Sequence, residues 1–427
     1  MKRITKVAVA LAAASALMLT GCGGDPGSSQ AATGPVEISV SAWSIETTPE
    51  FKLLVDGFNA ANSGKYTATL KEYDPSQYNT LVTADLSAGV GPDVITQKEV
   101  KYVPVFVAGG QLLDVSDVTL PSGIGGVDSY KVDGKTYATP YRMDSWVLYY
   151  DVDLFKQANI AIPDGSWTWT EYAANAEALS AALGDGVFGA YQHRWQSTVQ
   201  GLANAQSGAN ILNGEFDHLK PYYERVLKLQ ADKAQMDYNT SDANKTTYQA
   251  EFGKQKAAML LMGSWYTATL IAQQKSGEAN KFEWGMAPAP QKDASTTGTS
   301  AVPVTFGDPT AFGINAAIKA EKTEAAKAFL AYASSEAAAK ALAGIGITPA
   351  LTNDAVVTTY FAVEGAPKDD LSKFAWSTHK TLPENPTSAK TADVQTALGA
   401  LHTSVMSGAA TIDDALATAK AAFAAIK

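Results

Sequence analysis

Val36, Ile38, Val40 and Ala42 alternate with Glu37, Ser39 and Ser41, the period-two pattern of a strand with one face on a core. Phe51, Leu54, Val55 and Phe58 follow at i, i+3, i+4 and i+7, which is one face of a helix. Thr67 to Tyr73 returns to a β-prone stretch. Tyr78, Leu81, Val82 and Leu86 predict a second amphipathic helix, and Gly91-Pro92-Asp93 turns the chain into the apolar pair Val94-Ile95. Val147 to Tyr150 and Ala258 to Met262 are short apolar runs suited to buried strands. Between them, Thr168-Trp169-Thr170-Glu171 predicts a helix start. The Thr168 hydroxyl can accept the Glu171 N–H while the Glu171 carboxylate reaches back to the Thr168 N–H. Ala325, Ala328, Phe329 and Tyr332 mark the inner face of an Ala-rich helix. Thr411 predicts the N-cap of the last helix, with Asp413 and Asp414 in its first turn and Ile412, Leu416 and Phe423 facing inward. Strand, helix and strand in this order predict α/β domains built on mainly parallel sheets, and there is no fixed-period repeat.

Ahead of this pattern, Lys2, Arg3 and Lys6 precede an apolar run from Val7 to Leu19, the order of a secretory signal. The run is too short to span a bilayer. Leu19-Thr20-Gly21-Cys22 follows directly and resembles the lipobox of bacterial lipoproteins, whose cysteine carries lipid. Cys22 is the only cysteine. A lone secreted cysteine can instead be a free thiol or pair with another chain, but its place at the end of a leader favours lipid. The expected layout is a signal peptide over 1–21, then a lipidated cysteine and a flexible Gly/Ser/Ala/Pro-rich tether over 22–35. Two acyl chains would anchor it stably. No later segment is an apolar stretch of transmembrane length, so the rest is expected to be a globular body outside the cytoplasm. Losing the leader moves the formal charge from −10 to −13. That sign argues against nucleic acid and against anionic headgroups as partners. A mature chain from Cys22 to Lys427 exceeds what one core usually serves, which predicts two domains.

The order of motifs resembles the family 1 extracellular solute-binding proteins of ABC importers, the group that includes maltose- and other carbohydrate-binding proteins. The likeness runs through Val40-Ser41-Ala42-Trp43, Gly91-Pro92-Asp93-Val94 and Gly134-Lys135-Thr136-Tyr137-Ala138-Thr139-Pro140-Tyr141. It continues in Leu148-Tyr149-Tyr150-Asp151-Val152-Asp153-Leu154-Phe155, Trp167-Thr168-Trp169-Thr170-Glu171-Tyr172, Phe252 to Met259 with Gly263-Ser264-Trp265, and Trp284 to Pro290. Each motif alone is weak, and their order and spacing carry the resemblance. Asp151 stands where the family usually has Asn, in what is expected to be a surface turn.

The resemblance implies a two-lobe α/β fold of the periplasmic-binding-protein type, each lobe a mainly parallel sheet flanked by helices, with the ligand in a cleft that closes like a hinge. Its lobes would be 36–142 plus 308–350 and 146–303 plus 355–427, with hinges near Met143, Thr305 and Thr352. It also implies ABC permease subunits as partners; a monomer is expected. Sugars show hydroxyls at their edges and C–H groups on their faces, so a site needs aromatic platforms beside fixed polar groups. Trp43, Ser44 and Glu46 follow the first strand at the end where open α/β sheets place ligands, and Gln97 follows the Pro92-Asp93-Val94 strand. Arg142 and Asp144 flank the first crossing between lobes. Asp144 matches a family acid that bonds sugar hydroxyls, with a hinge salt bridge to Arg142 as the alternative. Trp265 matches a family position that stacks on a sugar ring. Tyr191-Gln192-His193-Arg194-Trp195 concentrates bulky side chains with polar ends, which makes His193 and Trp195 candidates. Asp308 lies in a Gly-Asp-Pro turn at a crossing. Trp169, Trp284 and Trp376 are assigned to packing.

Enzyme readings fare worse. A glycosidase needs two carboxylates about 5 to 10 Å apart, which 43 acidic residues leave open. There is no Gly-x-Ser-x-Gly elbow, and Gly134-Lys135-Thr136 has Ser129 where a phosphate loop needs glycine. His193, His218, His379 and His402 are too scattered for a helical zinc motif. No cofactor or metal is expected. The expected function is capture of a mono- or oligosaccharide, with a polyol, a sugar phosphate or a cationic solute as alternatives on the same fold. A secreted glycosidase and a surface adhesin or sensor partner are the alternatives of another class.

Overall fold

A computed structural model describes residues 34–46 and 49–426. The leader, Cys22 and the tether up to residue 33 lie outside the described residues. Strand β1 (Val36–Trp43) leads to helix α1 (Glu50–Ala61), which buries Phe51, Leu54, Val55 and Phe58 as their spacing predicts. Strand β2 (Tyr66–Tyr73) returns parallel to β1, from Val36 against Tyr66 to Trp43 against Tyr73. Helix α2 (Tyr78–Ser87) then delivers β3 (Val94–Gln97) to the other side of β1, also parallel. After β4 (Thr139–Met143) the chain passes through Asp144-Ser145 into β5 (Trp146–Asp151).

β5 opens a second body. Helices α3 (Val152–Ala158), α4 (Trp169–Leu183) and α5 (Lys220–Ala231) precede β6 (Met259–Gly263) and β7 (Trp284–Pro288). The predicted capping box starts α4, with the Glu171 carboxylate accepting the Thr168 N–H at 2.9 Å. Asp151 caps α3, accepting the Leu154 N–H at 2.9 Å. It is fully buried rather than set in a surface turn, and burial pushes its carboxyl up to about 6.

The return runs through β8 (Val304–Phe306) into β9 (Pro309–Ile314), which enters the first sheet antiparallel to both β3 and β4. That sheet has the order β2-β1-β3-β9-β4. Helix α6 (Ala320–Ala333) covers it with Ala325, Ala326, Phe329, Leu330 and Ala333 buried. Its inner face is therefore rotated from the expected one. Ala328 and Tyr332 are half-buried at its edge, where Tyr332 reaches the α1 surface at Gly57. Strand β10 (Lys380–Leu382) pairs with β8, and helices α7 (Thr391–Met406) and α8 (Ile412–Ala424) end the chain. Thr411 caps α8 through the Asp414 N–H at 3.1 Å.

The two-lobe α/β class holds, with one core on Ile38, Val40, Phe58, Ile95, Phe312 and Phe329 and another on Leu148, Phe155, Leu202, Tyr223, Leu260 and Met286. The strand directions depart from the mainly parallel expectation. In the order β6-β5-β7 both pairs are antiparallel. An all-apolar strand is buried on both faces whichever way it runs, so its composition does not encode its direction.

Candidate functional site

The crossings between the two bodies are tied side by side. Met143 N donates to Thr348 O at 3.2 Å, Ala350 N to Tyr141 O at 3.0 Å, and the Thr305 hydroxyl to Trp146 O at 2.6 Å. A Cβ on Gly307 would sit 1.9 Å from the Asp144 carbonyl oxygen, so only glycine allows that approach. Above these crossings lies a cleft of about 880 Å³ whose walls come from both bodies.

Two indole rings supply apolar platforms. Trp195 is 41% exposed, the largest side chain among the exposed apolar residues, and stands edge-on to His193 at 4.4 Å and to Tyr248 at 5.8 Å. Trp265 follows the end of β6 and meets Trp146 edge-on at 5.6 Å, and Trp146 in turn stacks on Phe306 at 4.9 Å. Trp43 borders the cleft but mainly seals the first core, against Phe51 at 4.7 Å and Tyr78 at 5.0 Å. Lys98 Nζ already stands 5.0 Å from its ring centroid.

An ionic network runs beneath the rings. Glu50, fully buried in the first turn of α1, takes Arg142 Nη1 at 2.8 Å on each oxygen and the Tyr141 hydroxyl at 2.8 Å. Arg142 Nε lies 2.8 Å from Asp144 Oδ2. Asp144 Oδ1 accepts the Ser264 hydroxyl at 2.9 Å, Ser264 Oγ accepts the Thr348 hydroxyl at 2.9 Å, and Thr348 Oγ1 accepts Trp376 Nε1 at 3.0 Å. Burial raises the Asp144 carboxyl, and the Arg142 charge opposes that rise. The Arg142–Asp144 pair set out as the alternative for Asp144 therefore exists, and Asp144 also lines the cleft.

Asp308 accepts the Glu384 N–H at 2.9 Å, the Asn385 N–H at 3.3 Å and Asn385 Nδ2 at 2.6 Å. Burial raises both Asp308 and Glu384, and the Asp308 charge raises Glu384 further.

The structure thus brings Trp43, Arg142, Asp144, Trp195, Trp265 and Asp308 to one cleft and leaves four candidates off its lining. Ser44 has φ of 49°, in the left-handed region, just after β1, and neither Ser44 nor Glu46 is among the cleft-lining residues. Gln97 is 1% exposed, and its amide lies beside Gly313 inside the first body. His193 is buried behind Trp195, with Nδ1 3.2 Å from the Tyr191 hydroxyl. Sequence reasoning missed Glu50, Lys98, Glu99, Lys101, Tyr102, Trp146, Glu384 and Asn385. Lys98 to Tyr102 had a usable signal, because they follow the end of β3 as Trp43 ends β1. Among the described residues, no group of three or more His, Cys, Asp and Glu side chains is placed to hold a metal ion.

His193 carries a pH prediction. Burial, then the Arg194 charge, pushes it from 6.5 down to about 4. The unfolded chain takes up this proton below its ordinary value, the folded chain only below about 4. The stability it contributes is therefore complete above 6.5 and lost as the pH falls through that window. His193→Gln should remove about 2 kcal/mol of the stability loss between pH 6.5 and pH 5. Urea unfolding at both pH values checks this, and an unchanged difference would show His193 to be charged in the fold.

The family model described as bacterial extracellular solute-binding protein matches residues 43–340. A binding protein of Brucella abortus (strain 2308) is 26% identical over 287 residues, which are 64% of this chain and 67% of that protein. A solved sugar transporter of Rhizobium etli, in an open conformation, is similar with a TM-score of 0.79 and 28% identity, over 92% of this chain and 100% of that one. An ABC substrate-binding protein of Listeria monocytogenes in complex with cycloalternan has a TM-score of 0.75 and 19% identity, over 91% of this chain and 98% of that one.

Proposed function

The chain belongs to the bacterial extracellular solute-binding proteins, and from that premise we propose that it captures a mono- or oligosaccharide in this cleft for an ABC importer. The observation that carries the reading is the exposed Trp195 ring sharing one cleft with Trp265 and with the carboxylates of Asp144 and Asp308. Indole faces suit the C–H faces of a sugar, and fixed carboxylates suit its hydroxyls. The lobes are proposed as 36–142 plus 308–350 and 146–303 plus 355–427, closing over the ligand. Lipid on Cys22 would hold the protein at the outer face of the cell membrane, where it meets the permease subunits as a monomer. Family and relatives are binding proteins rather than enzymes, and no catalytic residue is assigned.

One observation favours a second reading, a cationic solute. Among the described residues no ion pair holds Asp308 or Glu384, although both line the cleft. A thermal-shift screen against mono- and oligosaccharides, polyols, sugar phosphates and polyamines separates the two. A ligand at 100 times its Kd should stabilise the fold by about 2.7 kcal/mol. A shift confined to one sugar group supports the first reading, and one confined to polyamines replaces it with the second.

A further inference from the structure

A second pocket of about 760 Å³ shares no lining residue with the cleft and lies between α4 and α5. Trp169, Ala173 and Glu177 present one face of α4 at four-residue steps, and Pro221, Arg225 and Lys228 present one face of α5. Arg225 stands at the centre. Its Cζ is 3.7 Å from the Trp169 ring centroid and 4.7 Å from that of Tyr222. Both rings are fixed from below, because Trp169 Nε1 and the Tyr222 hydroxyl donate to Gln206 Oε1 at 2.8 and 3.0 Å.

Arg225, Lys228 and Lys292 line the pocket against one acid, Glu177. Among the described residues no ion pair involves Arg225 or Lys292, although the chain as a whole is at −10. Glu177 is spent on Lys228 at 2.5 Å on the same wall. Asp293 accepts the Ser295 N–H at 2.9 Å, and the Ser295 hydrogen bonds, with a smaller contribution from the Lys292 charge, lower its carboxyl, which leaves Arg225 as the cation without an acidic neighbour. His218 is bound to Asn204 Oδ1 at 2.7 Å, and burial lowers its affinity for a proton. Burial also presses Arg225 down to about 10, as expected of a cation short of negative neighbours. Stacking on the rings leaves the in-plane edge of a guanidinium available for two parallel hydrogen bonds. Trp169, Ala173, Ala174 and Pro221 add carbon to a wall that also carries Thr170 and Ser207, and the volume is far larger than a bare ion needs.

We infer that this pocket binds a small organic carboxylate, whose anionic group pairs with Arg225 and Lys292 while its apolar body lies along Ala173, Ala174 and Pro221. The site is independent of the solute cleft, so it survives whatever the cleft turns out to bind.

Saturation-transfer NMR and calorimetric titration of the whole protein with 3-phenylpropionate test it. Binding should be weakened ten-fold or more by Arg225→Gln and several-fold by Lys292→Gln, and left unchanged by Trp195→Ala. Lys292 is exposed, so its variant keeps the test open should Arg225→Gln fail to fold. No transfer at millimolar ligand, binding by both charge variants as tight as by the unaltered protein, or loss of binding in Trp195→Ala would each overturn the inference. Inorganic phosphate binding as well as 3-phenylpropionate would overturn the assigned ligand class.

Discussion

Arg142→Met is expected to lower the unfolding free energy by about 3–5 kcal/mol. The guanidinium is 14% exposed and sits between Glu50, fully buried, and Asp144, whose side chain is 4% exposed. Methionine keeps most of the packing volume but leaves two carboxylates facing each other in a low dielectric without a cation. Surface ion pairs cost less than about 1 kcal/mol when broken, because water takes over the solvation that a buried network denies. Urea unfolding at pH 7 measures the loss. Glu50→Gln added to Arg142→Met should recover part of it by removing one stranded charge. A single-variant loss under about 1 kcal/mol would show that the network is solvated and that Glu50 does not depend on Arg142.

Trp195→Ala is expected to raise the Kd for the cognate solute ten-fold or more, about 1.4 kcal/mol of binding free energy, with the unfolding midpoint almost unchanged. Both parts follow from its position. A 41% exposed ring contributes little to the core, yet its free face borders the cleft, and buried aromatic anchors carry a disproportionate share of binding energy. Trp265→Ala should weaken binding by a similar factor but also lower the midpoint, since it strips a partner from Trp146. Calorimetry with the ligand found by thermal shift reads both variants. Unchanged affinity in Trp195→Ala would remove that ring from the site, and unchanged affinity in both would move the site out of this cleft.

The ten candidates divide according to how local their signal was. Trp43, Arg142, Asp144, Trp195, Trp265 and Asp308 sit at strand ends, crossings or one crowded loop, and a short stretch of chain carries that information. Gln97 misses the cleft lining by one step. It is the last residue of β3 rather than the first beyond it, so its side chain stays inside while Lys98, Glu99, Lys101 and Tyr102 reach the cleft. His193 is buried off the lining, and Trp195 two residues on takes the exposed position. Glu50 reads as an ordinary first-turn acid, since nothing near it in the chain reveals a partner 92 residues away. Glu384 and Asn385 are likewise invisible, because Asp308 meets them across 76 and 77 residues.

Period and capping chemistry by themselves determined β1, α1, β2, α2, β5 and β6 and where α4 and α8 begin, and length gave the expectation of two bodies. Those properties depend on side-chain spacing and on backbone groups within one turn, so a local reading reaches them. The strand directions of the second sheet, the rotation of α6, the burial of Asp151, the Glu50–Arg142–Asp144 network and the contact at Gly307 were decided only by the tertiary structure. Each depends on which distant segment packs alongside. In a close-packed interior that choice follows from the shape and hydrogen-bonding needs of the whole set rather than from the hydrophobicity of any one stretch.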